Sequence, residues 1–215
     1  MGVAGRAFLG TACGLVLLGL GLLAGCQGGF FNRPAPEARP EIIQAAGAWT
    51  HPQSGMTFPV EVGEFKRTLL LRYDKAGQNV SATYEIDGAV SKLAVSVYVY
   101  PAPPVTGSMR QERCGSQLDA ATFDLAKQHP GLRRTGIDEV AVAQGGAEHR
   151  GVRARFIYDQ PLVQDALPSA AEIDLFCRAT DSWQIEYRFT RPRALDADPI
   201  LADFMRRLTW TLHPG

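Results

Sequence analysis

Apolar and polar residues alternate over most of the chain after Trp49, a period typical of strands that bury one face. Two such runs, residues 80–86 and 93–99, predict a hairpin that turns at Asp87-Gly88. Further strands are predicted at residues 56–60, 65–73, 137–143, 149–158, 173–179 and 183–189. Gln144-Gly145-Gly146 is the turn signal between two of them. The pattern predicts an antiparallel or mixed sheet of about seven strands.

The last two predicted strands carry their core residues on odd numbers. If both sets of residues face the same core, directly opposed residues must have numbers with an even sum. That register requires a three-residue loop, Thr180-Asp181-Ser182. It also places Arg188 opposite Asp174 or Glu172 on the outer surface of the sheet.

Two helices are predicted from apolar residues spaced three and four positions apart. The first begins near Ser108, which forms a capping box with Gln111, and ends before His129-Pro130-Gly131. Its inward stripe is formed by Cys114, Leu118, Ala121 and Leu125. The second is capped by Asp198, continues with Pro199 and stops before Trp210. The expected fold is therefore α+β: a mostly antiparallel sheet covered by two helices, as an α/β/α sandwich.

The first 25 residues have a different pattern, that of an export signal. One charge, Arg6, precedes an uncharged apolar stretch from Ala7 to Gly25. The stretch ends in Leu23-Ala24-Gly25-Cys26, which resembles the lipobox of bacterial lipoproteins. The resemblance implies cleavage before Cys26 and the addition of diacylglyceryl and acyl chains such as palmitate to Cys26. Two or three chains hold a protein stably at a membrane, whereas one chain binds only reversibly.

Two alternatives to the lipoprotein signal remain. One is an uncleaved transmembrane anchor, which Gly10, Gly14, Gly19 and Gly21 disfavour because they interrupt the apolar stretch, and the other is an ordinary cleaved signal peptide. Gln27 follows the cysteine, and in the enterobacterial sorting pattern this favours the outer membrane, on its periplasmic face. The expected organisation is a signal peptide at 1–25, a lipidated cysteine with a flexible tether at 26–48, and a folded domain at 49–215.

The folded region resembles the PsbP-type α/β/α sandwich. The residues that carry the likeness are the entry Ser54-Gly55-Met56-Thr57-Phe58-Pro59, the strand end Tyr98-Val99-Tyr100-Pro101, and a terminal helix followed by Trp210. The likeness covers residues 49–212 and concerns topology. It implies an assembly or partner-binding module and transfers no binding residue to this chain.

Composition narrows the class of partner. The chain has 215 residues, with 22 basic and 22 acidic side chains, so its formal charge is zero. Such a balance excludes a strongly basic nucleic-acid binder, and we expect no nucleic-acid partner. An apolar content of 46% also excludes a disordered chain.

Two cysteines, Cys114 and Cys177, remain in the exported domain and are expected to form a disulfide. Cys114 lies on the inward stripe of the first helix and Cys177 on the core face of a strand. The pair can meet only if the helix lies over that strand. The alternative is two separate buried thiols.

No catalytic or metal-binding pattern stands out. His51, His129, His149 and His213 are scattered without ligand spacing, and each is expected in a solvated loop or at a helix end. No G-x-S-x-G motif occurs. We therefore expect no metal, no cofactor and no enzymatic activity.

Two surface features are candidates for binding. The first is an outer sheet face with Arg153, Arg155, Arg178 and Arg188, which fits an anionic group. Interleaved Glu172, Asp174 and Glu186 favour the alternative, a mixed-charge sheet face. The second is the pair Tyr98 and Tyr100, which fits a partner patch or a second core layer under a helix.

The expected function is a lipid-anchored, non-enzymatic envelope protein whose domain binds a protein partner. The alternative is a binder of an anionic small ligand or envelope polymer through the arginine-bearing face.

Overall fold

The computed structural model describes residues 39–86, 93–102, 110–158, 169–177, 179–180 and 182–213. They belong to one unit of the chain, Ala38–Gly215. The predictions for residues 1–25, Cys26, the turn at Asp87-Gly88, the cap at Ser108 and Arg178 fall outside the described residues.

The described part holds eleven strands and two helices. In chain order these are β1 (Glu41–Ile42), β2 (Trp49–Thr50), β3 (Thr57–Phe58), β4 (Glu61–Val62), β5 (Phe65–Arg72), β6 (Val80–Ile86), β7 (Leu93–Pro101), α1 (Arg110–Gln128), β8 (Arg133–Gln144), β9 (Ala147–Tyr158), β10 (Ser169–Phe176), β11 (Trp183–Pro192) and α2 (Asp198–Arg207). Nine of these strands form one sheet in the order β1-β5-β6-β7-β11-β10-β9-β8, with β4 also paired to β5. The strand pairs within it are antiparallel.

The α+β prediction is confirmed as a mostly antiparallel sheet with two helices, but the described sheet has nine strands, not seven. The two additional strands, β1 and β4, have two residues each. So short a strand leaves no alternating pattern in a sequence. Between β8 and β9 the turn at Gly145 and Gly146 is as predicted, and both glycines have a positive φ, +58° and +83°.

The two helices pack on opposite faces of the sheet. On the α1 face, Leu118, Ala121 and Leu125 of the helix pack on a strip of β9 and β10. That strip consists of Ala154, Phe156, Ala171, Ile173 and Leu175. On the α2 face, Leu201, Phe204 and Met205 pack on the larger core, where Phe204 contacts the rings of Tyr84 and Tyr187 at 5.3 and 6.3 Å.

The register between β10 and β11 differs from the prediction. Ile173 lies opposite Arg188, and Asp174 lies opposite Tyr187, so opposed numbers have an odd sum. The even-sum register, the three-residue loop and the placement of Arg188 opposite Asp174 or Glu172 are therefore wrong. All eight residues of β10 are buried, because the strand is covered on both faces. Ala171, Ile173 and Leu175 of β10 face α1. Phe176 of β10 faces α2, as do Tyr187 and its apolar neighbours on β11.

The sheet begins before the expected domain boundary at residue 49. β1 lies within the range expected to be tether, and its Ile42 pairs with Leu71 of β5. Next to it, the guanidinium of Arg67 donates hydrogen bonds to the carbonyls of Ala45 at 2.9 Å and Gly47 at 2.6 Å. The same side chain donates to the carbonyl of Phe58. Arg67 thus joins the entering chain to β3 and β5 through backbone oxygens.

The end of α2 is fixed by one buried amide. Nε2 of Gln144 donates to the carbonyls of Met205 at 2.6 Å and Leu208 at 3.1 Å, and its Oε1 accepts from the N–H of Trp210 at 3.2 Å. Two of the carbonyls that a helix end leaves unpaired are thereby satisfied. At the other end of α2 the cap is Ala197, and the predicted cap, Asp198, is the first helical residue.

His51 is buried, contrary to the expectation of a solvated histidine. Its Nε2 lies 2.6 Å from the carbonyl of Gly77, which can only accept, and its Nδ1 lies 2.6 Å from Oγ of Ser54. The ring also meets Trp183 edge to face at 5.4 Å. Burial lowers the pKa of His51. The neutral imidazole is therefore part of the core between β2, β3 and β11.

The structure joins Cys114 to Cys177, with the two Cα atoms 5.6 Å apart. The helix lies over the strand, as the pairing requires. The bond encloses a span of 63 residues and connects α1 to the end of β10.

We expect Cys114→Ser to lower the free energy of unfolding by about 4 kcal/mol, because the bond restricts the unfolded chain. Urea unfolding without reductant measures the difference. Cys177→Ser and the double variant should lose the same amount, since each removes the same bond. Alkylation of both thiols in the native protein without reductant would contradict the pairing.

Candidate functional site

The predicted arginine-bearing face does not exist as one surface. Arg153 and Arg155 of β9 lie opposite Asp174 and Glu172 of β10 on the α2 face. Arg188 lies opposite Ile173, on the α1 face. Arg178 lies outside the described residues. The shared-face prediction fails because β10 and β11 pair in the odd-sum register.

Arg153 and Asp174 form a buried two-pronged ion pair. Nε and Nη2 of Arg153 donate to the two carboxylate oxygens of Asp174 at 2.7 and 2.6 Å. The Asp174 side chain is fully buried, and the Arg153 side chain is 11% exposed. Two parallel charge-assisted bonds of this kind are the strongest form of the pair. Arg153 is thus committed to an internal partner.

Glu172 occupies the next position along this face, and its side chain is 4% exposed. Its Oε2 lies 3.2 Å from Nε of Arg155, and its Oε1 lies 3.0 Å from Nε of Arg153. Within the described residues Oε1 has no hydrogen bond, since Nε of Arg153 is directed at Asp174. Burial, followed by the neighbouring Asp174 carboxylate, raises the pKa of Glu172 to about 7.

The guanidinium of Arg155 contacts three carboxylates. It contacts Glu172, Asp138 on β8, and Asp198 at the start of α2, the last at 3.6 Å. The four carboxylates and two guanidiniums of this group, which we call the α2-face ion cluster, pair with one another, and carboxylates are in excess. Such a cluster fixes β8, β9, β10 and α2 together and leaves neither arginine free for an external anion.

The α1 face continues beyond α1 over β5, β6, β7 and β11, and its character changes there. Helix α1 contacts β9 and β10, and no other described helix lies on this face. We call this surface the tyrosine face; its central residues are Tyr73, Tyr98, Tyr100, Glu186 and Arg188. Between them lie the hydroxyls of Ser81, Thr83 and Ser96. The three tyrosines are half-buried.

Arg188 is held in place by two neighbours on the tyrosine face. Its Nε donates to Glu186, two residues away on the same strand, and its guanidinium carbon lies 4.5 Å from the centre of the Tyr98 ring. The hydroxyl of Tyr100 donates to the other Glu186 oxygen at 2.7 Å. Among the described residues, no acceptor contacts Nη1 or Nη2 of Arg188. Two guanidinium nitrogens of a rigidly held arginine are therefore directed away from their internal partner.

One further polar atom at the tyrosine face, Oε1 of Gln184, has no described partner. Gln184, next to Tyr100 on the neighbouring strand, donates from Nε2 to the carbonyl of Pro101 at 3.1 Å. Its Oε1 is buried and accepts no hydrogen bond from the described residues. Buried oxygens of this kind are rare in folded proteins.

The sequence indicated part of this arrangement. Tyr98 and Tyr100 were candidates, and both lie on the tyrosine face. The role of Glu186 as the internal partner of Arg188 was missed, although their spacing of two on a strand places both on one side. Tyr73 was also missed, since it follows β5 and reaches Ser81 with its hydroxyl at 3.0 Å only in the folded chain.

We expect Glu172→Gln to raise the free energy of unfolding at pH 8 and to change it little at pH 5. The folded protein holds the Glu172 proton more tightly than the unfolded chain, so wild-type stability falls as the pH rises from about 4.5 to about 7. A neutral amide removes this loss, whose upper limit is about 3 kcal/mol. Urea unfolding at both pH values measures it.

Asp203→Asn is the control for that experiment. The hydrogen bond from Arg207 lowers the pKa of this exposed carboxyl, so stability from Asp203 is present at neutral pH and is lost as the pH falls through its folded pKa. Its amide variant should be destabilised equally at pH 8 and at pH 5, because Asp203 is ionised in the folded and unfolded states at both pH values. If the difference in free energy of unfolding between wild type and Glu172→Gln did not vary with pH, the raised pKa of Glu172 would be contradicted.

Within the described ranges, no group of three His, Cys, Asp or Glu side chains could hold a metal ion. No helix in the described part of the chain is long and apolar enough to cross a membrane. No family model matches the chain, and no curated protein matches it.

Proposed function

We propose that this chain is a lipid-anchored, non-enzymatic protein of the bacterial cell envelope whose folded domain binds a protein partner through the tyrosine face. The observation that carries the proposal is the composition of that face. A sheet surface without a described helix over it holds three half-buried tyrosines and Arg188, which is 14% exposed and whose two terminal nitrogens meet no acceptor among the described residues.

The anchoring part rests on the sequence. The tetrad Leu23-Ala24-Gly25-Cys26 follows an apolar stretch with one preceding charge, and this arrangement supports lipidation of Cys26. Gln27 supports the outer membrane, with the domain on the periplasmic side. The folded domain then acts beside the membrane without any electrostatic attraction to it, because the formal charge of the chain is zero.

The binding part rests on side-chain chemistry. Tyrosine and arginine are enriched at the energetic centres of protein interfaces, because both bury large areas and still offer polar atoms. Here Glu186 and Tyr98 hold the Arg188 guanidinium in one orientation, so little side-chain freedom is lost on binding. The α/β/α architecture with a PsbP-like topology, which we also propose, fits an assembly module.

The alternative of an anionic ligand on an arginine-bearing face is weaker. Arg153 and Arg155 are occupied by Asp174, Glu172, Asp138 and Asp198. An external anion would have to displace these carboxylates, and the two buried ones, Asp174 and Glu172, would then lose their counter-charges inside the protein. We therefore retain the protein-partner function alone.

Lipidation of Cys26 is tested by metabolic labelling with palmitate. The full-length chain should incorporate label and stay with the membrane fraction, and Cys26→Ala should lose both properties because the acceptor thiol is gone. Cys13→Ala, which removes a cysteine from the same segment, is the matched control and should label normally. Persistent labelling of Cys26→Ala would refute the anchor.

Partner binding is tested by in-cell photocrosslinking. A benzophenone amino acid replacing Tyr98 should give an adduct of defined mass, since this side chain lies at the centre of the proposed interface. The same residue replacing Val60, which is 41% exposed, is the control and should give none. Adding Arg188→Met to the Tyr98 probe should abolish the adduct. Equal adducts from Tyr98 and Val60, or none from Tyr98, would refute the interface.

A further inference from the structure

The outer edge of β8 is a long unpaired strand edge. β8 has twelve residues, ends the sheet, and pairs with β9 alone among the described residues. The other end of the sheet is β1, which has two residues. A free edge presents a row of backbone donors and acceptors that another strand can pair with.

Exposed apolar side chains gather at the same edge. Of the four exposed large apolar residues in the described part, Phe123 on α1 is 63% exposed and Ile137 on β8 is 49% exposed. Asp119 of α1 reaches Arg134 of β8 at 3.9 Å, so this flank of the helix borders the strand. Phe123 lies one helical turn after Asp119 and therefore on the same flank.

The charges along β8 are complementary to a second copy of the same strand. Arg134, Ile137 and Glu139 all lie on the α1 face, opposite Phe156, Ala154 and Val152. A bulge at Thr135, between Arg134 and Gly136, keeps Arg134 on that face despite its odd spacing from Ile137. In an antiparallel pair centred on Ile137, Arg134 and Thr135 of one copy together oppose Glu139 of the other, and the symmetry axis repeats this contact.

We propose that a second copy of this chain binds along the outer edge of β8, antiparallel, with Ile137 opposite Ile137 on a two-fold axis. The ladder hydrogen bonds, two Arg134–Glu139 pairs and a central apolar contact of Ile137 flanked by Phe123 form the interface. An isologous contact of this kind closes at two copies.

Charges and a bulge on an edge strand ordinarily prevent pairing. At β8 they restrict the choice of register instead, because registers centred on Arg134, Asp138 or Glu139 oppose like charges, whereas the Ile137-centred register brings opposite charges together. Asp124 and Asp138 near the edge have internal cations in Lys127 and Arg155. Within one copy, Arg134 and Glu139 have only long, exposed contacts, to Asp119 at 3.9 Å and to Arg150 at 3.7 Å, among the described residues.

The symmetric register gives a direct test with full-length protein in membranes. Ile137→Cys places two thiols across the axis, and mild oxidation should yield a covalent dimer on a non-reducing gel. Ala141→Cys is exposed on the same strand and face, yet in this register its two copies are separated by about 26 Å along the strands, so it should give no dimer. Failure of Ile137→Cys to cross-link, or equal cross-linking by Ala141→Cys, would overturn the proposal.

Charge exchange supplies the second measurement. In the Ile137→Cys background, Arg134→Glu should abolish the cross-link, and adding Glu139→Arg should restore it, since the pairs then form in reverse. Both side chains are exposed, so the variants keep the fold, which retention of the Cys114–Cys177 bond verifies. A double variant that stays monomeric would refute the register. None of these results depends on palmitate labelling or on the Tyr98 probe. The dimer proposal and the proposed function can therefore be refuted separately.

Discussion

Burial of the central strand β10 on both faces is the constraint on which the rest of this structure depends. All eight of its residues are buried, including Glu172 and Asp174. A strand that is covered on both sides has no solvated face on which to place its charges. Each charged residue must therefore find a counter-charge inside the protein or lose its charge.

The two carboxyl groups of β10 illustrate both outcomes. Asp174 keeps a counter-charge, since it receives two hydrogen bonds from Arg153, although burial still raises its pKa. Glu172 is less well paired, and burial together with the neighbouring Asp174 carboxylate raises its pKa to about 7. The α2-face ion cluster is thus better suited to fixing strand positions than to adding stability, because replacing a buried ion pair by apolar groups is often neutral or favourable.

The sequence predicted the elements in which apolar residues recur at the spacing of a strand or a helix. β6 with β7, β8 with β9 around Gly145-Gly146, and the stripe of α1 all follow from local spacing. The contact between Cys114 and Cys177 followed from two such stripes combined.

What the sequence did not indicate depends on contacts between distant segments. Arg188 was assigned to the wrong face because the parity argument assumed one core, whereas each face has its own. His51 was expected in solvent, but its two nitrogens are satisfied by Ser54 and by the carbonyl of Gly77, which is 26 positions away. The tyrosine face required both the register of β11 and the placement of α1 over β9 and β10 alone, and neither has a local signature.

The two proposed surfaces are compatible in one assembly. In the dimer, the two-fold axis passes through paired edge strands and runs perpendicular to the sheet, so the α1 faces of both copies point to the same side. β7 and β11, which carry Tyr98 and Arg188, are separated from the β8 edge by β9 and β10 and stay uncovered by the second copy. Both tyrosine faces are then presented in one direction. A partner with two matching sites would bind the second face at a high effective concentration, so a modest contact at each Arg188 suffices for stable attachment.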